Sequence, residues 1–285
     1  MSISAAQVNE LRKKTGAGMM DCKKALVESD GDFEKAIEYL RKKGAAIAAK
    51  RADKVANEGI IVTSVSNDYK YGLILEVNCE TDFVAKTDDF INLVHEVVNK
   101  AMDSKASNLD ELLEKNPDLP ALVNDVMAKV GEKTEIRRLA SLSTDTGYIG
   151  HYTHIGSKLG VILQIENVNN ISSELMSLTE DIAIQVAAMN PVSIYRDEVP
   201  KDLIEKELEI YKELALKEGK PENLIEKIAL GKMNKYYQDN CLIEQSFFKD
   251  NTKTINDLIL DYNKKNNTQI KVSKFIRFHL GDEKK

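Results

Sequence analysis

The chain has 285 residues, 42% of them apolar and 30% charged, which argues against a disordered polymer and leaves room for two or three domains. Its net charge is −6, the wrong sign for neutralising nucleic-acid phosphates, so the expected partners are proteins and no nucleic acid. Cys22, Cys79 and Cys241 are odd in number and far apart, which argues against a disulfide framework or a zinc motif, and no apolar run reaches the roughly 18 residues that span a bilayer.

Charge is unevenly distributed. Residues 1–55 carry a balance of +4 and the remainder −10. A basic head on an acidic body can steer binding to an acidic surface, and a solvated Lys-rich helix face would give the same numbers. The polar N-terminal stretch does not read as a signal peptide, so the expected compartment is the cytoplasm, with no membrane contact.

Three short helices are predicted first. Ser4 with Gln7 three residues later has capping-box spacing, Val8 and Leu11 give the first helix its apolar face, and Gly16 or Gly18 ends it. The second helix carries Met20, Ala25 and Leu26, and Asp30-Gly31 is a turn signal. The third carries Phe33, Ala36, Ile37 and Leu40 and is expected to stop at Gly44, with Ala45 to Ala56 as a basic connector.

A hairpin pattern follows, with strands Ile60–Val65 and Tyr71–Val77 about an Asn67-Asp68 turn. After a loop from Asn78 to Lys86, a helix is predicted from Asp88 to Met102, on the spacing of Phe90, Ile91, Val94, Val97, Val98 and Ala101. The block then recurs at an offset of 88: Gly59-Ile60-Ile61 aligns with Gly147-Tyr148-Ile149, and Gly72 to Val77 aligns with Gly160 to Ile165. A helix from Ser173 to Met189 again follows. Extra helices are expected over residues 109–130.

From Pro200, the seam Leu203, Ile204, Leu208, Tyr211, Leu214 and Ala215 marks one helix, Gly219-Lys220-Pro221 breaks it, and Leu224, Ile225, Ile228, Ala229 and Met233 mark a second. This antiparallel pair is expected to project from the core. A helix from Thr254 to Tyr262 and a strand at Phe275–Phe278 complete the chain. The expected fold class is α+β, divided into a helical module with its connector (1–55), one core subdomain (56–146), a related one (147–190 with 240–285) and the helical hairpin (191–239).

The search for chemistry returns little. Gly131-Glu132-Lys133-Thr134 lacks the order of a phosphate-binding loop, no GxGxxG or GxSxG is present, and no metal or cofactor is expected. His151 and His154 are three apart, which within a strand would put them on opposite faces. The repeat is more informative. Position 83 maps onto Ile171, so the second copy has no counterpart of Thr81-Asp82-Phe83. Two readings stay open: Phe83 projects as an anchor for a partner, or it folds onto its own core while Thr81 or Asp82 caps a helix. The chain is not expected to be an enzyme, although a carboxylate-only active site would leave no motif.

Two segments resemble a known family. Leu11 to Leu26 (LRKKTGAGMMDCKKAL) and Leu75 to Lys86 (LEVNCETDFVAK) are similar to the two signatures of the elongation factor Ts family, and Ile136-Arg137-Arg138, Tyr152-Thr153-His154 and Phe275 to Phe278 match further family positions in order. The resemblance covers nearly the whole chain. It implies an N-terminal module of ubiquitin-associated type that docks on the GTPase domain of elongation factor Tu through Leu11, Arg12, Met19 and Met20. It further implies that Thr81, Asp82, Phe83 and Val84 dislodge the partner's Mg²⁺, that His154 makes a second contact, and that the partner is bound both with GDP and without nucleotide. The helical hairpin matches the family's protruding coiled coil, which could serve a homodimer. Many bacterial members carry a C-terminal helical module; the sequence given runs seven residues past Phe278, so no contact from such a module is expected. The rival readings are a binding module without exchange activity and a carboxylate enzyme.

Overall fold

The computed structural model describes residues 3–282. The N-terminal helices are α1 (Ala5–Thr15), α2 (Met19–Glu28) and α3 (Phe33–Arg51). Ser4 and Gln7 form the expected reciprocal capping box, and Gly16 closes α1 in the left-handed region at φ 67°. Val8, Leu11, Cys22, Ala25, Leu26 and Ala36 are the small core of this module. The third helix does not stop at Gly44; it continues through the connector to Arg51. Gly44 serves packing here. A Cβ there would lie 3.3 Å from the Asn124 carbonyl oxygen and 3.4 Å from Ala128 Cβ, so the missing side chain lets α3 lie close against a helix of the next subdomain.

That subdomain contains β1 (Glu58–Val65), β2 (Tyr71–Cys79), α4 (Asp82–Ala85), α5 (Asp88–Ser104), α6 (Leu109–Lys115), α7 (Leu119–Val130) and β3 (Thr134–Ser143). The antiparallel sheet has the order β1-β2-β3, and every residue of the central β2 is buried. Alternation along β2 sends Leu73, Leu75 and Val77 into a core shared with α5 and α7, and sends Ile74 to the other face.

The second subdomain contains β4 (Tyr148–Thr153), β5 (Leu159–Glu166), α8 (Ser173–Met189), the paired helices α9 (Lys201–Lys217) and α10 (Glu222–Asn240), then β6 (Ser246–Phe247), β7 (Asp250–Thr254), α11 (Ile255–Asn266) and β8 (Lys271–His279). Its main sheet has the order β4-β5-β8. Val161, Leu163 and Ile165 face α8 and α11, and Ile162 faces away from them.

The register shows that the 88-residue offset is structural. Ile60 pairs with Val77 as Tyr148 pairs with Ile165, and the irregularity at Glu76/Val77 recurs at Gln164/Ile165. The sheets pack face to face through Ile61, Ile74, Leu142, Ile149, Ile162 and Phe278. A Cβ on Gly72 would lie 2.5 Å from Ile149 Cγ2, and one on its counterpart Gly160 would lie 2.9 Å from Ile61 Cγ2. The contacts thus exchange roles across a local twofold axis. Thr63 Oγ1 and His151 Nδ1, themselves repeat counterparts, sit 2.8 Å apart beside that axis.

All three cysteines are buried and unpaired, and burial pushes the Cys79 thiol up to about 12. A thiol-specific reagent at pH 8 is expected to find no fast-reacting group in the folded chain and three after denaturation. A rapid phase before unfolding would contradict this packing.

Candidate functional site

β2 ends at Cys79, and Thr81 turns the chain into the four-residue helix α4. Thr81 is the N-cap: its hydroxyl accepts from the Val84 N–H at 3.4 Å. Val84 and Ala85 point inward and join the core with Phe90, and the Thr87 hydroxyl donates to the Val84 carbonyl at 2.8 Å. Helical rotation therefore turns Phe83 outward, and it is 79% exposed. Thr81 does cap a helix, yet Phe83 does not fold back onto the core. Val84 is buried, so it anchors the loop from below and is not available to a partner.

Asp82 pairs with Lys86 at 2.7 Å, one turn on, and the hydrogen bond from Lys86 lowers its pKa, so it is ionised at neutral pH. In the second subdomain the equivalent connection has no helix: α8 follows β5 directly, and Ile171 packs against the core there. The outward aromatic belongs to one copy alone.

The turn between β4 and β5 lies at the same end. Its Ser157 carbonyl accepts from the Ile61 N–H at 2.7 Å, and Lys158 pairs with Glu58 at 2.8 Å while its charge also acts on Asp82. His154 lies one residue beyond β4, in this turn and outside the strand, so the opposite-face expectation for the two histidines does not apply. Its Nδ1 is 2.7 Å from the Tyr152 hydroxyl, and its ring is exposed. Beside it Ile155 is 92% exposed, the most exposed large apolar side chain described. Sequence reasoning missed Ile155; an isoleucine at a turn beside Gly156, φ 87°, was the available signal.

A second exposed patch lies on the N-terminal module. Arg12 is exposed in the last turn of α1, Met19 and Met20 open α2, and Met20 is 73% exposed. Leu11 is fully buried, which corrects its assignment to the docking surface: it supports that surface from within. The two patches share a support. Lys129, at the end of α7, pairs with Asp89 of α5 at 3.5 Å and lies against Gly16.

Residues 80–282 match the family model described as elongation factor TS. The chain is 45% identical over 286 residues to elongation factor Ts of Chlorobaculum parvum, covering 98% of this chain and 99% of that one. It is 47% identical to elongation factor Ts of a Clostridium botulinum strain, over 98% and 93% of the two chains. The chain belongs to the elongation factor Ts family. In this family member the signature resemblance falls on both exposed patches. The helical hairpin of α9 and α10 also carries exposed apolar side chains, among them Ile210, Leu216 and Leu230. Among the described residues no helix is long and apolar enough to cross a membrane.

Proposed function

We propose that this chain is a guanine-nucleotide exchange factor for elongation factor Tu in translation, acting in the cytoplasm. Family membership supports the exchange role, and one observation carries the mechanism. Phe83 stands out from a capped helical turn that only one of two related subdomains possesses. Arg12, Met19 and Met20 dock the N-terminal module, Phe83 enters between elements of the GTPase, and His154 braces a second point. Nucleotide and Mg²⁺ in a GTPase are held by a phosphate-cradling loop and shared oxygen ligands, so shifting that backbone loosens both. The chain makes or breaks no covalent bond in this scheme and holds no metal of its own.

Coupling between the two binding events is reciprocal. A coupling of about 5 kcal/mol weakens GDP binding about 10⁴-fold, and bound GDP weakens the factor equally. The nucleotide-free complex is therefore the tight one, and GTP reloading dissolves it. The test is release of fluorescent GDP from elongation factor Tu with substoichiometric chain. Release is expected to accelerate and each molecule to act repeatedly. A stable complex with an unchanged GDP off-rate would replace this reading with a plain binding module.

A further inference from the structure

Phe83 poses a physical problem. An aromatic side chain left in water tends to fold onto nearby apolar surface, and α4 is too short to hold its own geometry. Something must keep the turn aimed outward. The segment Gly131-Glu132-Lys133-Thr134, which fails as a phosphate loop, lies against this turn. Thr134 pairs with Cys79 across β2 and β3, and Gly131 ends α7 in the left-handed region at φ 74°. Glu132 is thereby fixed between a helix end and a sheet.

We propose that Glu132 is a positioning residue for Phe83. The Thr81 N–H donates to Glu132 Oε2 at 3.0 Å, and the Thr81 hydroxyl donates to the two carboxylate oxygens at 2.9 and 3.1 Å. A threonine hydroxyl has one proton. Directing it at Glu132 leaves a lone pair facing the Val84 N–H, which is the cap that starts α4. The carboxylate thus sets the rotamer that nucleates the turn. Among the described residues no cationic side chain forms an ion pair with Glu132, and its carboxylate is held by Thr81.

Neighbouring contacts leave the turn little freedom. The Cys79 thiol donates to the Thr81 carbonyl at 3.1 Å. Glu80 accepts from the Lys133 N–H at 2.6 Å and from Arg51 Nη1 at 2.7 and 3.0 Å. Residues 80 and 81 are tied to α3 on one side and to residues 132–133 on the other, and the next exposed side chain is Phe83.

The activity consequence rests on the exchange reading above. Glu132→Ala is expected to lower the maximal rate of GDP release about tenfold, the scale of a lost charge-assisted contact, with KM for elongation factor Tu–GDP nearly unchanged because the N-terminal patch is intact. Glu132→Gln, which keeps an acceptor oxygen, should recover most of the rate. Added to Phe83→Ala, Glu132→Ala should have little further effect, because it acts through Phe83. A rise in KM alone, or full additivity, would overturn the proposal. A second measurement needs no partner. The chain contains no tryptophan, so Phe83→Trp installs a single reporter. Its local rotation, read by time-resolved anisotropy, should be restrained with Glu132 present and faster after Glu132→Ala. Equal rotation in both backgrounds would overturn the positioning role even if exchange fails for other reasons.

Discussion

Phe83→Ala is expected to slow factor-stimulated GDP release about 30-fold while leaving the melting curve unchanged. The kinetic part follows from the size of the anchor. Truncating an aromatic hot spot costs about 2 kcal/mol or more, and each 1.4 kcal/mol is a factor of ten. The stability part follows from exposure. A side chain 79% in water contributes little to the folded core, and such surface changes stay within about 0.5 kcal/mol. Phe90 is the control. It is fully buried in the first turn of α5, and Phe90→Ala should cost about 3–5 kcal/mol. Two phenylalanines seven residues apart thus separate function from folding. Stopped-flow nucleotide release and thermal denaturation on the same preparations decide it: a large stability loss in Phe83→Ala, or unchanged release, would remove the anchor role.

Glu76→Ala is expected to be among the most destabilising single changes in the chain. Glu76 is fully buried on β2, and its carboxylate meets Arg138 Nε at 2.6 Å and Arg137 Nε at 3.6 Å. Those arginines reach across to the end of β8. Arg137 donates to the Asp282 carbonyl at 2.7 Å, Arg138 donates to the His279 carbonyl at 3.1 Å, and the Arg138 guanidinium lies 4.0 Å from the centre of the Phe278 ring. Removing the carboxylate takes the nearest anion from two mostly buried cations and leaves Asp282, 4.0 Å from Arg138 Nη2, as the remaining one, which costs about 3–5 kcal/mol. At roughly 2–4 °C per kcal/mol the melting temperature should fall by on the order of 10 °C. Lys86→Ala breaks an exposed pair and should leave the melting temperature nearly unchanged. Comparable losses for the two would show that burial does not set the strength of these pairs.

Much of this fold could be read from the residues because its signals were local. Ser4 and Gln7, the turn at Asp30-Gly31 and the break at Gly219 to Pro221 all stand where a few neighbours decide the outcome. The misses have a common cause in long-range packing. Gly44 reads as a stop signal until α7 is placed beside it. The strand Thr134–Ser143 carries Arg137 and Arg138 side by side, which spoils alternation, and only Glu76, distant in sequence, accounts for a charge there. Leu11 and Arg12 are adjacent in a signature, yet one is core and the other surface. At the candidate site, the segment from Thr81 to Val84 was legible as a motif. Which of its members face out was not, and neither was Glu132, 51 residues away in the chain.

The exchanged contacts of Ile61 with Gly160 and Ile149 with Gly72 are those of an isologous dimer, in which one patch meets its own copy. Here both halves are on one chain. A true dimer must carry any loop twice, and a change that suits one side is forced on the other. Covalent fusion removes that constraint. One half could gain α4 and Phe83 while the other kept a plain connection, Ile171 turned inward. A single projecting aromatic suits a partner with a single nucleotide site, and an unfused dimer of this subdomain would present two.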